Sequence, residues 1–235
     1  MKILAIDTSG TAASCAVMSD GKVLHSVFMQ HGLTHSQTIM PAVEYVMQAS
    51  GLSCGEMDAF AAVIGPGSFT GVRIGVCTVK GLAHAVGKPC APVHALEALA
   101  MNFYGFDGVV CPILDARRGQ VYTALFDVRD GIPRRVMADE AIALEALMEK
   151  LPKDRRIMFA GDGLPVFRQQ IREALGDRAL LAPAGLSDLR AESVCLIASS
   201  RAKDWVPAHV LQPCYLRASQ AERLRAEQSR REAGV

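Results

Sequence analysis

Three short turns carry the residues best placed to do chemistry. Asp7 ends an apolar run and leads into Thr8-Ser9-Gly10, Asp115 ends a second run and leads into Ala116-Arg117-Arg118-Gly119, and a third run meets Gly161-Asp162-Gly163. Backbone N–H groups in such turns can hold anions, and an Asp can reach Mg²⁺ through water. Turns of this kind therefore suit a nucleotide, with Asp7, Thr8, Ser9 and Gly10 as its candidate contacts. In the competing reading, Asp7 and Asp115 only cap their turns. Arg117 and Arg118 replace the small residues that let a phosphate approach closely; they suit an acidic or RNA-phosphate partner, or simple solvation.

A fourth turn, Gly65-Pro66-Gly67-Ser68-Phe69-Thr70-Gly71-Val72-Arg73-Ile74-Gly75, leaves an apolar run and enters a helix. It is no Walker A loop, because Gly-Lys-Ser/Thr is absent and Lys80 falls well inside the helix. It is no nucleophile elbow either, because Pro66 and Thr70 stand where Gly-x-Ser-x-Gly requires glycine. Ser68 or Thr70 can cap the helix, whose N-terminus could bind an anion. Gly71, Gly75, Thr78, Leu82 and Ala85 then form one small-residue stripe. Glycine inside a helix costs about 1 kcal/mol relative to alanine, so packing must offset it, either within the domain or against a second chain.

His31 and His35 are four apart, but Gly32 interrupts a helix between them and no carboxylate is near in sequence, which argues against zinc. His35, beside Ser36, reads as a capping or interface residue. The seven cysteines are scattered without a CxxC pair and read as buried, reduced thiols. No metal site is expected.

The elements that must position these turns repeat. Residues 2–7, 11–18 and 22–29 form an antiparallel meander, followed by a helix over 36–49, a strand over 58–64 and a helix over 70–86. From Val109 the grammar recurs: strands over 109–114, 120–127 and 132–137, a helix over 139–150, a strand over 156–160 and a helix over 165–175. Asp7 aligns with Asp115, and Gly65-Pro66-Gly67 with Gly161-Asp162-Gly163. The sequence predicts an α/β fold of two RNase H-like βββαβα domains in tandem, the actin-like ATPase (ASKHA) plan, over residues 1–103 and 104–217. A polar helix or tail follows over 218–235.

Composition sets bounds on partners. Half of the 235 residues are hydrophobic, enough for a sizeable core. A net charge of +1 gives no field that would gather nucleic acid or an anionic membrane. No apolar run approaches a membrane span, and the expected location is cytoplasmic.

Ile6-Asp7-Thr8-Ser9, His35-Ser36, the whole of Gly65 to Gly75, Lys80-Gly81-Leu82-Ala83, Leu96-Glu97-Ala98-Leu99, Tyr215-Leu216-Arg217 and Gln220-Ala221-Glu222-Arg223 together resemble the TsaB (YeaZ) family, most densely over residues 1–100. The family comprises the small subunits of the bacterial tRNA threonylcarbamoyladenosine machinery. The resemblance implies a non-catalytic scaffold that pairs with its larger paralogue TsaD and with TsaE, forms a homodimer when alone, and meets tRNA only through the complex. ATP or ADP and a metal belong to those partners, with no cofactor of this chain's own. The paralogue carries Asn-His-Leu-Glu-Gly-His where this chain has His94-Ala95-Leu96-Glu97-Ala98-Leu99, so Ala95 and Leu99 replace its metal-binding histidines.

In the family, the partner contact uses the helix after His35-Ser36 and the helix after the glycine turn. The interface expected here comprises His35, Ser36, Met40, Val43, Met47, Thr70, Gly71, Arg73, Gly75, Thr78 and Leu82. Gly71 and Gly75 would set the close helix approach, His35 and Arg73 would make polar contacts, and Met40, Val43 and Met47 would supply apolar area. The alternatives are a small-molecule kinase or ATPase using Asp7 and the interdomain cleft and, more weakly, a metalloprotease.

Overall fold

The computed structural model describes residues 1–217, so the expected polar tail, with Gln220 to Arg223, lies outside the described residues. Strands β1 (Lys2–Asp7), β2 (Ala13–Ser19) and β3 (Lys22–Met29) form the antiparallel meander. Helix α1 (His35–Ser50), β4 (Ala59–Gly65), α2 (Phe69–Val86), β5 (Cys90–His94) and α3 (Ala95–Met101) complete the first half. The second half runs β6 (Val109–Asp115), β7 (Gln120–Asp127), β8 (Arg134–Ala143), α4 (Leu144–Lys150), β9 (Ile157–Ala160), α5 (Leu164–Leu175) and β10 (Ala179–Leu181). It ends with the single turn α6 (Ala184–Ser187) and α7 (Ala191–Ser200).

The sheets have orders β3-β2-β1-β4-β5 and β8-β7-β6-β9-β10. In each, the first three strands pair antiparallel and the last two add in parallel. The two halves are therefore one topology repeated, as the paired motifs predict. The repeat extends to backbone detail. Gly65, the last residue of β4, and Gly161, the residue after β9, have φ of 115° and 120°, a region from which a β-carbon is largely barred.

The largest boundary shift among the expected elements lies at β8, and β5, α3, β10, α6 and α7 add to the expected set. The segment expected as a strand over 132–137 and a helix from 139 is a single strand to Ala143, with α4 beginning only at Leu144. Asp139 to Ala143 have helix-compatible composition, but β7 offers a long unpaired edge whose ladder continues to Gln120 opposite Ala143. Tertiary pairing overrides the local preference.

Each half lends a helix to the other. α3, which follows the first sheet, packs on β6 and β7, whereas α7, at the end of the second half, packs on β1 and β2. One face of the first sheet (Ile3, Ala5, Ala16, Met18, Ala61, Val63) thus shares a core with α3, α7 and the second sheet. Its other face (Leu4, Ile6, Cys15, Val17, Phe60, Ala62, Ile64) is covered by α1 and α2. Cys15, Cys90, Cys111 and Cys195 are buried free thiols, but Cys77 is exposed on α2, against the expectation for the set.

Glu97 of α3 is 2% exposed and takes a two-pronged hydrogen bond from the Arg201 guanidinium just beyond α7, with Nη1 to Oε2 at 2.9 Å. This pair ties the exchanged helices together. Arg201→Ala should leave an unmatched buried carboxylate and cost about 3 kcal/mol, seen as a lower urea midpoint. The double change Glu97→Leu/Arg201→Met should cost less than Arg201→Ala alone.

Candidate functional site

The sequence motifs converge on two places: the outer face of α1 and α2, and the cleft where the halves meet. Both depend on the start of α2. Ser68 is its N-cap, accepting a hydrogen bond from Gly71 N at 3.2 Å, so Ser68 rather than Thr70 provides the cap. Thr34 stands at the N-cap of α1 without a side-chain cap bond.

Gly71 and Gly75 face inward. A β-carbon on Gly71 would lie 2.0 Å from the Thr8 carbonyl oxygen, and one on Gly75 would lie 2.6 Å from Thr8 Oγ1. Thr8 Oγ1 donates to the Gly71 carbonyl at 2.7 Å, and Ser68 N donates to the Ser9 carbonyl at 2.7 Å. The glycines therefore serve contact with the β1–β2 turn of the same chain, which corrects their assignment to a helix approach between chains. Val43 and Met47 are corrected likewise: both are buried in the core beneath α1.

The other expected interface residues divide by environment. Ser36, Met40, Thr70 and Arg73 are exposed, whereas Thr78 and Leu82 are half-buried. His35 is also half-buried, with Nε2 2.9 Å from the Gly10 carbonyl, so it braces the β1–β2 turn. Leu33 and Tyr45, which the sequence pattern did not single out, are 59% and 57% exposed, as Met40 is. The helix α2 contains no carboxylate.

The chain beyond α7 returns to the first half as a strap. Val206 exchanges two backbone hydrogen bonds with Cys90 at the β5 edge, Lys80 Nζ donates to the Leu211 carbonyl at 3.0 Å, and Cys214 N donates to the Ile64 carbonyl at 2.7 Å. Tyr215 then stacks on Phe69 at 4.4 Å, while Arg73 lies over Phe69 at 3.9 Å and donates from Nε to Tyr215 Oη at 2.8 Å. Arg73 is thus engaged within the chain. This constellation joins residues 142 apart in sequence, and only the resemblance at Tyr215 pointed to it.

Strap and turns enclose a cleft of about 660 Å³ lined by Ser9, Gly10, Gly67, Asp115, Arg117, Arg118 and Tyr215, among others. Asp162 lines it beside Asp115, and Asp7 lies in a smaller adjoining pocket. Asp7 is buried, and burial pushes its carboxyl up to about 6, against hydrogen bonds from Ser9 and the nearby His35. Asp162 is pushed up by burial, with Asp115 and Asp188 adding repulsion. The turn amides are already used. Ser9 N donates to Asp7 Oδ1 at 2.8 Å, Asp115 N to Asp162 Oδ1 at 2.9 Å, and Arg117 N to Asp115 Oδ1 at 2.8 Å. Ala116 N and Gly163 N donate to the Gln120 and Ile113 carbonyls.

Against known proteins, the sequence profile of TsaD, described as tRNA N6-adenosine threonylcarbamoyltransferase, matches residues 31–224. A Bacillus subtilis protein named tRNA threonylcarbamoyladenosine biosynthesis protein TsaB is 35% identical over 223 residues, 94% of this chain and 96% of that protein. The chain belongs to the TsaB (YeaZ) family. The solved structure of YeaZ from Pseudomonas aeruginosa superposes with a TM-score of 0.77 at 28% identity, over 92% of this chain and 99% of that one. The activator of the 2-hydroxyisocaproyl-CoA dehydratase from Clostridium difficile, with bound ADPNP, has a TM-score of 0.51 at 10% identity, over 86% of this chain and 96% of that one. That likeness concerns the fold alone.

Part of the donor set that a phosphate would use in these turns is engaged within the chain. Five amides in or beside the turns are satisfied internally, three of them by the carboxylates of Asp7, Asp162 and Asp115. Ala95 and Leu99 of this TsaB-family chain are fully buried, and Glu97 is committed to Arg201. Among the described residues, no group of three or more His, Cys, Asp or Glu side chains converges to hold a metal.

Two measurements test these assignments. Gly71→Ala should destabilise the isolated chain by about 2 kcal/mol or more, because a backbone oxygen cannot yield, lowering Tm by about 4 °C or more. An unchanged Tm with weakened partner binding would restore the intermolecular reading. For Asp7, the folded carboxyl holds its proton to higher pH than the unfolded one, so stability falls as pH rises from about 4 to about 6. Asp7→Asn should therefore stabilise the protein at pH 7.5, by up to about 3 kcal/mol, and change little at pH 4.

Proposed function

We propose that this chain is the non-catalytic partner subunit of a tRNA threonylcarbamoyladenosine transferase complex, docking through α1 and α2 on its catalytic paralogue TsaD, with TsaE as the further component. In isolation the same face pairs two copies of the chain. It requires no cofactor of its own; nucleotide and metal belong to the partners, and tRNA is met through the assembly. Cytoplasmic location accords with that role. Among the described residues, no helix is long and apolar enough to cross a membrane.

The observation that carries this reading is the outer surface of the first half. Leu33, Met40 and Tyr45 are exposed on or just before α1, and α2 is free of carboxylates, with Ile74, Thr78 and Leu82 only half-buried. Exposed large apolar side chains on these elements are the material of an interaction site. The glycine-packed start of α2 holds that surface rigid, and the strap secures it from the side. The name of the Bacillus subtilis relative supports the pathway, and the committed carboxylates of the cleft support a role without chemistry.

The test is co-purification with TsaD and reconstitution of tRNA modification with and without this chain. Met40→Glu and Tyr45→Glu should each leave Tm within about 1 °C, as surface changes do, and together should lower affinity for TsaD at least tenfold. Modification should fall in parallel and recover at high concentrations of the variant. Retained TsaD binding by the double variant would overturn the interface, and full modification in the chain's absence would overturn the role. Micromolar ATP binding with turnover by the isolated chain would support the kinase or ATPase alternative.

A further inference from the structure

The cleft carries charges of both signs. Arg117, Arg118 and Arg217 line it together with Asp115 and Asp162, and Asp7 and Asp188 line a smaller adjoining pocket that shares Asp162; Asp7 is buried, whereas Arg117 and Arg118 are exposed. Arg117 and Arg118 occupy the β6–β7 turn with φ of 65° and 56°, two consecutive non-glycine residues in the left-handed region. Arg217 reaches the same turn from the strap, donating from Nη1 to the Ala116 carbonyl at 3.2 Å. Arg117 contacts Asp115 at 3.1 Å but is largely exposed, and Arg118 is exposed with no side-chain partner among the described residues. Three guanidiniums around one opening form a local anion-attracting surface that a chain charge of +1 conceals.

This arrangement selects among anions. A mononucleotide whose phosphates enter the cleft meets several occupied amides and the carboxylates of Asp115 and Asp162. A chain of phosphates passing across the mouth meets the exposed Arg117 and Arg118 without entering the cleft. Aromatic surface is available at the same place: Tyr122 and Tyr215 line the cleft, and Tyr215, stacked on Phe69, is 40% exposed. Arginines beside a fixed aromatic ring are the elements that hold single-stranded nucleic acid, through backbone phosphates and base stacking.

We infer that the rim formed by Arg117, Arg118 and Arg217, with Tyr215, is an RNA contact that grips the phosphate backbone of an unpaired RNA segment. It rests on the proposed subunit role, in which the assembly acts on tRNA, and makes this chain a direct participant in holding that substrate. The contact is independent of nucleotide and metal in this chain.

The experiment measures binding of a tRNA transcript and of an unstructured RNA oligonucleotide to the complex with TsaD, by fluorescence anisotropy over a salt series. Arg117→Ala/Arg118→Ala should weaken tRNA binding about tenfold and reduce the slope of log K against log salt by about 2, one for each phosphate contact removed. Arg118→Glu should weaken binding further, while Arg118→Lys should restore most of it. Tyr215→Leu should affect the unstructured oligonucleotide more than fully duplex RNA. Unchanged tRNA affinity and salt slope in the double alanine variant, with TsaD co-purification intact, would overturn the RNA contact and leave the subunit role standing. Displacement of the RNA by millimolar ATP, with ATP binding to the isolated wild-type chain but not the double variant, would make the rim a nucleotide site instead. Failure of the wild-type chain to co-purify with TsaD would strike the subunit role itself.

Discussion

The close approach of α2 to the end of β1 is the contact on which the other features depend. A carbonyl oxygen of Thr8 lies where a β-carbon of Gly71 would be, and the Thr8 hydroxyl and Ser68 amide complete the join with hydrogen bonds. Because the approach is backbone to backbone, α2 cannot slide without breaking it. The join buries Thr8 and Ser9 and helps to close the space around Asp7. It also fixes Phe69 and Arg73, which receive Tyr215, and leaves the remaining α2 surface facing outward.

The electrostatics of the cleft follow from this closure. Buried carboxylates are protonated more readily than in water, and those that remain charged need donors. Here the turn amides supply them, so groups that could cradle a ligand phosphate instead stabilise the protein's own Asp7, Asp115 and Asp162. The arginines at the mouth remain in high dielectric, where they are exposed to partners. A fold built around an interdomain opening can thus retain its shape while changing what that opening recognises.

The exchange of α3 and α7 joins the two sides of the cleft. Each helix buries its apolar face in the other half, and the Glu97–Arg201 pair fastens them. The halves consequently share one core, and the outer face of α1 and α2 is the side of the first sheet that this exchange leaves available. Association with a second chain through that face needs no rearrangement of the interior.

Local patterns in the sequence determined the repeated strands, the turns after Asp7 and Asp115, and the matching glycine turns, because alternation, helical spacing and turn chemistry act over a few residues. The expectation that a partner meets α1 and α2 came from the family resemblance rather than from these patterns. Which residues on those helices face outward was decided only by the tertiary structure. Gly71, Gly75, Val43 and Met47 fit a small or apolar seam equally well within or between chains, and only the position of the sheet and Thr8 turns them inward. The extension of β8 through Asp139 required an unpaired edge on β7. The strap, with Tyr215 meeting Phe69 and Arg73 across 142 residues, has no local signature, because the packing that creates it joins segments that carry no common period.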